Sequence, residues 1–213
     1  MNRLAIVVMV GALFASIGGA AQAQTLRPFS LDIGAAADID SNSYGAPEAD
    51  ARPALLVGLG VDLPYRMVFR FEYAQPAWHE VNDVSSFPGS GGRTLTMSSR
   101  NKHRLDTYSF LVGRTFTVSR RVHMTALGGF TAGTHRDRES ETLEIRSSSN
   151  AILDERASSD SHVLGQHGLT LGFETAVSLT DRVALVPQVR VHTYPCYELP
   201  DQWRPGFVVR YRF

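Results

Sequence analysis

The strongest constraint in this sequence is an alternation of apolar residues with polar or small ones, which begins near residue 29 and recurs to the end. In the first segment, Phe29, Leu31 and Ile33 alternate with Ser30 and Asp32. A period of two predicts a β-strand with one apolar face. Segments of this kind occur eight times, at residues 29–39, 54–63, 67–74, 104–116, 122–134, 167–179, 183–193 and 207–213.

The connections between these segments alternate strictly between short and long. Segments two and three, four and five, and six and seven are three to five residues apart, whereas the other linkers exceed ten residues. Outer-membrane barrels have this pattern because their turns face the periplasm and their loops face the exterior. We therefore expect an all-β fold, an eight-stranded antiparallel up-and-down transmembrane β-barrel with short periplasmic turns and long extracellular loops. Pro187 removes a ladder bond from the seventh segment and predicts a bulge there.

Two of the long linkers contain short alternations of their own. Leu95 and Met97 alternate with polar residues in one linker, and Leu143 and Ile145 do so in another. These patterns predict hairpins that project above the bilayer. Aromatic residues typical of a membrane interface lie where strands should leave the bilayer, at Tyr73, Trp78 and Trp203.

The first residues have the form of an export signal. Arg3 precedes an uncharged apolar run, 4–14, which is too short to span a bilayer. Ala21 and Ala23 then satisfy the small-residue rule for signal cleavage. The chain is thus expected to have two parts, a signal peptide for Sec-dependent export and an outer-membrane barrel domain, at residues 1–23 and 24–213.

The polar faces of the segments predict a filled barrel interior. They are rich in small residues and carry both signs of charge, and an eight-stranded barrel is narrow enough for side chains to fill it. Charges buried there must pair with one another. We expect a structural polar network in the lumen, formed by Asp32, Arg70, Glu72, Glu174, Gln188, Arg190, Arg210 and Arg212.

The chain ends with an aromatic residue, Phe213, and has a second aromatic, Tyr211, two positions earlier. Here it resembles the small outer-membrane β-barrel proteins, the group that contains outer membrane proteins A, X and W. That family ends in such a pair, which the barrel-assembly machinery reads, although it favours glycine where this chain has Val208. The resemblance implies residence in a Gram-negative outer membrane, contact with membrane lipid and lipopolysaccharide, and biogenesis with the assembly machinery and periplasmic chaperones.

An enzymatic interpretation finds no complete set of residues. Outer-membrane lipid A deacylases resemble this architecture and carry a His-x-Ser-Asn motif, but the nearest counterpart, which begins at His192, lacks the serine. Asp160, Ser161 and His162 supply the residue types of a nucleophilic triad, but in a segment expected to be a flexible polar loop. We therefore expect no catalytic residues.

Metal binding is not favoured either. Residues 38–42 begin like a calcium loop, but the required glycine and glutamate are missing, so an Asx turn is the better interpretation. His135, Asp137 and Glu139 lie on one face of a strand, and without a partner cluster they indicate a hydrated strand end. We expect no metal and no cofactor.

The charge balance excludes one class of partner. The chain has 21 basic and 21 acidic residues, so its net charge gives no reason to expect nucleic-acid binding.

We expect a monomeric, non-enzymatic, porin-like outer-membrane protein that serves envelope integrity or surface contact through its loops. Two alternatives stay open: a lipid-modifying enzyme of the deacylase type, and a narrow channel or periplasmic binding barrel for small molecules.

Overall fold

The computed structural model describes residues 28–40, 51–147, 149, 151–194 and 202–213. The expected signal peptide, with Ala21 and Ala23, lies outside the described residues. None of the described residues forms a helix long and apolar enough to cross a membrane. Together they form one 3-10 turn, Pro64–Arg66, and the strands β1 (Phe29–Asp40), β2 (Ala51–Asp62), β3 (Met67–Pro76), β4 (His79–Pro88), β5 (Thr94–Thr117), β6 (Val122–Arg146), β7 (Ile152–Ser178), β8 (Val183–Thr193) and β9 (Gln202–Arg212).

Eight of these strands close into a ring. Sequential strands pair antiparallel from β5 through β9, β9 pairs with β1, β1 with β2 and β2 with β3. A further pairing of β3 with β5 completes the circle and leaves β4 outside it. The predicted eight-stranded antiparallel barrel is confirmed, and β4 is an addition on its extracellular side.

The apolar row of each barrel strand faces outward. Ile33 is 52% exposed and Phe110 is 49% exposed, whereas the adjacent polar residue Asp32 is buried. Apolar side chains outside and polar side chains inside are what a strand between lipid and a polar lumen requires. Aromatic rings contact each other across strands near the extracellular end of this band, where the centroids of Tyr73 and Tyr108 are 5.0 Å apart.

Three barrel strands are far longer than a membrane requires. β5, β6 and β7 have 24, 25 and 27 residues, against about 9–11 for a tilted transmembrane strand. Above the barrel, β4 pairs with β5, β5 with β6 and β6 with β7. These segments form a four-stranded sheet beyond the barrel. This sheet confirms the two hairpins predicted from the alternations in the long linkers. It also corrects one expectation, because residues 160–162 belong to strand β7 and not to a flexible loop.

The bulge predicted at Pro187 is absent. Pro187 lies opposite Phe207 in an unbroken register between β8 and β9. Between β7 and β8, pairing is interrupted from the Glu174–Gln188 pair to the Val177–Leu185 pair, and the register is the same on both sides of the interruption. The chain therefore accommodates the missing N–H group by omitting pairing on one side at this point, without inserting an extra residue.

Candidate functional site

The periplasmic half of the lumen holds a network of ion pairs centred on Glu174, whose side chain is 0% exposed. Arg210 donates two hydrogen bonds to this carboxylate, from Nη1 to Oε1 at 2.9 Å and from Nη2 to Oε2 at 3.1 Å. Arg190 Nη2 lies 3.2 Å from Oε2, and Arg70 Nε lies 3.8 Å from Oε1. Three guanidinium groups from three strands therefore converge on one buried carboxylate.

Further acidic residues complete the charges around this centre. Asp32 accepts two hydrogen bonds from Arg210, each of 2.8 Å, in the fork geometry that favours arginine–carboxylate pairs. Glu72 Oε2 accepts hydrogen bonds from Arg190 at 3.2 Å and from Gln188 at 3.3 Å. The residues of the predicted lumen network that these contacts join are Asp32, Arg70, Glu72, Glu174, Gln188, Arg190 and Arg210.

Arg212, the remaining residue of that prediction, lies nearer the periplasmic end. Its side chain is half-buried, and its Nε has no hydrogen-bond partner among the described residues. None of the contacts around Glu174 reaches it. Arg70 also pairs with Asp62, at 2.9 Å between Nη2 and Oδ1, an acidic neighbour that the sequence reasoning did not select.

A second polar layer fills the extracellular half of the lumen, and the sequence reasoning missed it. Arg204, 1% exposed, donates from Nε to Asp38 Oδ1 at 3.0 Å and from Nη1 to Thr107 Oγ1 at 2.7 Å. Beside it, His192 Nδ1 is 2.7 Å from Thr170 Oγ1. The alternation continues through residues 202–206, so starting the last strand at residue 202 would have revealed Arg204.

The residues considered for catalysis are not arranged for it. His192 is fully buried in the lumen against threonine hydroxyls, away from the lipid-facing wall. Asp160 and His162 pair at 3.0 Å in an exposed position. Ser161 lies between them in a strand, so its side chain points to the opposite face. A hydrogen-bonded Ser–His–Asp relay is therefore not formed at either position.

A cluster of basic residues lies on the outer surface just above the Tyr73–Tyr108 pair. The indole ring of Trp78 is covered by Arg104, with Cζ 4.6 Å from the ring centroid, and by Arg138 at 5.1 Å. Asp106 pairs with Arg104 at 2.9 Å and with Arg136 at 3.4 Å. Farther along β5 from the membrane, Lys102 and Arg100 both pair with Glu80. These five basic and two acidic side chains leave this outer surface positively charged.

Comparisons with known proteins bear on the fold. No family model and no curated protein matches this sequence. Ail, the attachment invasion locus protein of Yersinia pestis, has a similar crystal structure, with 14% identity, 88% of this chain and 100% of that chain covered, and a TM-score of 0.52. The outer membrane protein OprG from Pseudomonas aeruginosa is similar at 8% identity, with coverage of 87% and 96% and a TM-score of 0.50.

The likeness to both structures is one of fold, and it agrees with the outward apolar band and the closed ring of strands. This chain therefore has the fold of the small eight-stranded outer-membrane β-barrel proteins.

Proposed function

We propose that this protein is a non-enzymatic, monomeric barrel that presents a rigid β-sheet at the cell surface, where the sheet makes contact with other molecules. The observation that carries this proposal is the continuity of β5, β6 and β7 from the membrane into the extracellular sheet. From Leu105 to Thr94, β5 extends roughly 35 Å along the strand, at about 3.3 Å per residue. Recognition on outer-membrane proteins usually lies in such surface segments on a rigid scaffold.

The surface of the extracellular sheet has the chemistry of a contact site. Apolar side chains are exposed there, including Val84 at 65%, Phe87 at 56% and Val163 at 64%. A shallow groove of about 460 Å³ on the same sheet is lined by serines and by charged residues of both signs, among them Arg100, Ser140 and Asp160. Mixed apolar and charged surface of this kind suits a protein or glycan partner better than it suits bulk water.

The lumen supports an anchoring role better than a channel role. The layers around Glu174 and around Arg204 occupy the two halves of the interior with buried, mutually paired side chains. An ion or solute crossing the barrel would have to separate these pairs, which is costly in a medium of low dielectric constant. We infer a filled lumen, and single-channel recordings in planar bilayers should give no steady conductance; stable openings would contradict it.

Truncation of the extracellular sheet tests the surface role. One variant replaces residues 80–102 by a two-residue turn, and a second replaces residues 139–160 in the same way. Bacteria that express the full chain should attach to cultured epithelial cells more than empty-vector cells do, and both variants should lose that gain. Heat-modifiable gel migration controls for an intact barrel in each case. Equal attachment by a truncated and a full-length barrel would contradict the proposal.

We further propose that the outer basic cluster binds the phosphate groups of lipopolysaccharide. Arg104, Arg136 and Arg138 lie at the level of the headgroups, directly above the interfacial aromatic pair, and guanidinium groups match phosphate geometry well. A basic residue near an anionic surface contributes about 1 kcal/mol, so losing all three should lower affinity roughly 100-fold.

Binding of purified lipopolysaccharide to the barrel in phospholipid nanodiscs measures this effect. The variant R104Q/R136Q/R138Q is compared with R120Q/R121Q/R182Q, which removes the same charge from the periplasmic turns. Loss of affinity in both variants alike would mean that net charge, not the cluster, determines binding. Unchanged affinity in the first would refute the proposal.

For biogenesis we propose the route implied by the chain termini. Cleavage after Ala23 would release the barrel domain into the periplasm, where chaperones keep it unfolded for the barrel-assembly machinery. Tyr211 on the outward face of β9 and Phe213 directly after that strand are both exposed, with ring centroids 6.2 Å apart, so both rings are accessible to the assembly machinery.

A further inference from the structure

Histidines from four strands lie on the inward face of the extracellular sheet, just above the barrel mouth. His79 of β4 lies directly opposite His103 of β5, His103 lies opposite Asp137 of β6, and Asp137 lies opposite His162 of β7. Residues opposite one another in a sheet project from the same face. His135, two residues from Asp137, shares that face as well.

The side chains near His103 are in contact. The ring centroids of His79 and His103 are 4.5 Å apart, and those of His103 and His135 are 6.1 Å apart. Two imidazoles bound to one tetrahedral ion, with nitrogen–metal bonds of about 2.0–2.1 Å, have centroids about 5 Å apart. The spacing of the His79–His103 pair is therefore close to that of two ligands of one metal ion.

Asp137 determines which ring nitrogen of His135 carries the proton, as carboxylates do for metal-binding histidines. His135 Nε2 lies 2.7 Å from Asp137 Oδ1. With its proton directed at this carboxylate, the ring keeps the lone pair on Nδ1, which is the arrangement that a carboxylate imposes on metal-binding histidines. The sequence pattern alone shows no partner cluster for His135 and Asp137 and so indicates a hydrated strand end, and the pairing of β4, β5 and β6 supplies the missing cluster.

Two charged groups interact with the ring of His103. The Arg52 guanidinium opposes a bound cation, and the Asp137 carboxylate favours one. On the neighbouring strands, His162 pairs with Asp160 at 3.0 Å in an exposed position, and the exposed Glu139 lies opposite Asp160.

We propose that His79 and His103 bind a transition-metal dication such as Zn²⁺ or Cu²⁺, with His135 as a third ligand and Asp137 as its positioning residue. In the described part of the chain, no three His, Cys, Asp or Glu side chains already enclose a metal position. His135 must therefore turn toward the pair when the ion binds. Imidazole ligands suit these dications and not Mg²⁺ or Ca²⁺. The ion would link β4, β5 and β6 and stiffen the projecting hairpin, an effect separate from the proposed surface contact.

Titration of tag-free, folded protein in detergent with Zn²⁺, against a chromophoric chelator, tests the site. The wild type should bind one equivalent, and H79N/H103N should bind at least about 100-fold more weakly. H162N, on the same face but outside the pair, is the matched control and should bind as the wild type does. D137N should weaken binding by about 10- to 100-fold, the range for orienting partners of metal ligands, and H135N, which removes a ligand, should weaken it at least as much.

Electron paramagnetic resonance of the Cu²⁺-loaded protein should show hyperfine coupling to imidazole nitrogens, which H79N/H103N removes. Heat-modifiable migration confirms that each variant is folded. Absence of saturable binding by the wild type, or equal affinity in H79N/H103N, would overturn the site. Unchanged affinity in H135N would overturn the role of the third ligand. Because the readouts are metal binding and spectra, their failure leaves the attachment experiment unaffected.

Discussion

The Glu174→Gln substitution tests whether the lumen network stabilises the barrel. It preserves the shape of the side chain but removes the charge at which Arg210, Arg190 and Arg70 converge. Breaking a buried ion pair on one side costs about 3–5 kcal/mol because it leaves an uncompensated charge. In this variant Arg210 still pairs with Asp32, and Arg190 still pairs with Glu72. We therefore expect the free energy of unfolding to fall by about 3 kcal/mol, the lower end of that range.

The double variant E72Q/E174Q removes both acidic partners of Arg190. The two residues share this arginine, so their effects should not be additive, with a coupling of about 0.5–3 kcal/mol. Urea unfolding of the purified barrel in detergent, followed by tryptophan fluorescence and by gel migration, gives the free energies. The melting temperature of the double variant should also fall.

The matched control is Glu155→Gln, an exposed carboxylate of β7 in the extracellular sheet. Surface substitutions of this kind usually change stability by less than about 0.5 kcal/mol. If E174Q unfolds within that margin of E155Q, or if E72Q/E174Q melts at the wild-type temperature, the ion pairs do not stabilise the barrel and the reasoning is refuted.

Three further predictions concern packing, pH and assembly. A Cβ on Gly129 would overlap a carbonyl oxygen of the neighbouring strand, whereas one on Gly165 meets open space, so G129A should reduce the yield of folded barrel in gels and G165A should not. The lowered pKa of His103 means that the unfolded hairpin binds more protons, so its stability should fall as pH drops from about 6.5 to about 4; the hydrogen-exchange protection factors of β4 amides, which correct for the pH dependence of intrinsic exchange, should decrease over that window, and less so in H103N. Replacing Phe213 by alanine should lower the amount of assembled barrel in the membrane fraction while leaving refolding of purified protein in detergent unchanged; equal membrane levels would contradict a signalling role.

Barrel architecture could be predicted because it depends on a local rule. A strand between lipid and a polar lumen must alternate at each residue, so segments such as 167–179 and 183–193 reveal both the strand and its two faces. The lower lumen network could be predicted for the same reason, since Asp32, Glu174 and Arg210 are charged residues in otherwise clear alternations.

The alternation rule did not identify the residues of the upper lumen layer. Thr107 belongs to a segment whose phase is less clean, and Arg204 precedes the point where the last alternation becomes apolar enough to detect. Outside the membrane, water satisfies both faces of a strand, so the apolar periodicity fades and long strands look like polar loops. Residues 160–162 of β7 are an example of such a strand segment.

The pattern of single residues specifies the number of barrel strands, the outward apolar face and the alternation of turns with long linkers, because each follows from the environment of one residue at a time. Which residues meet depends on the folded sheet. Register between strands depends on pairing across the whole sheet, and it alone joins Glu174 to three arginines, extends β5 to β7 above the membrane, and brings His79 and His103 into one row with Asp137.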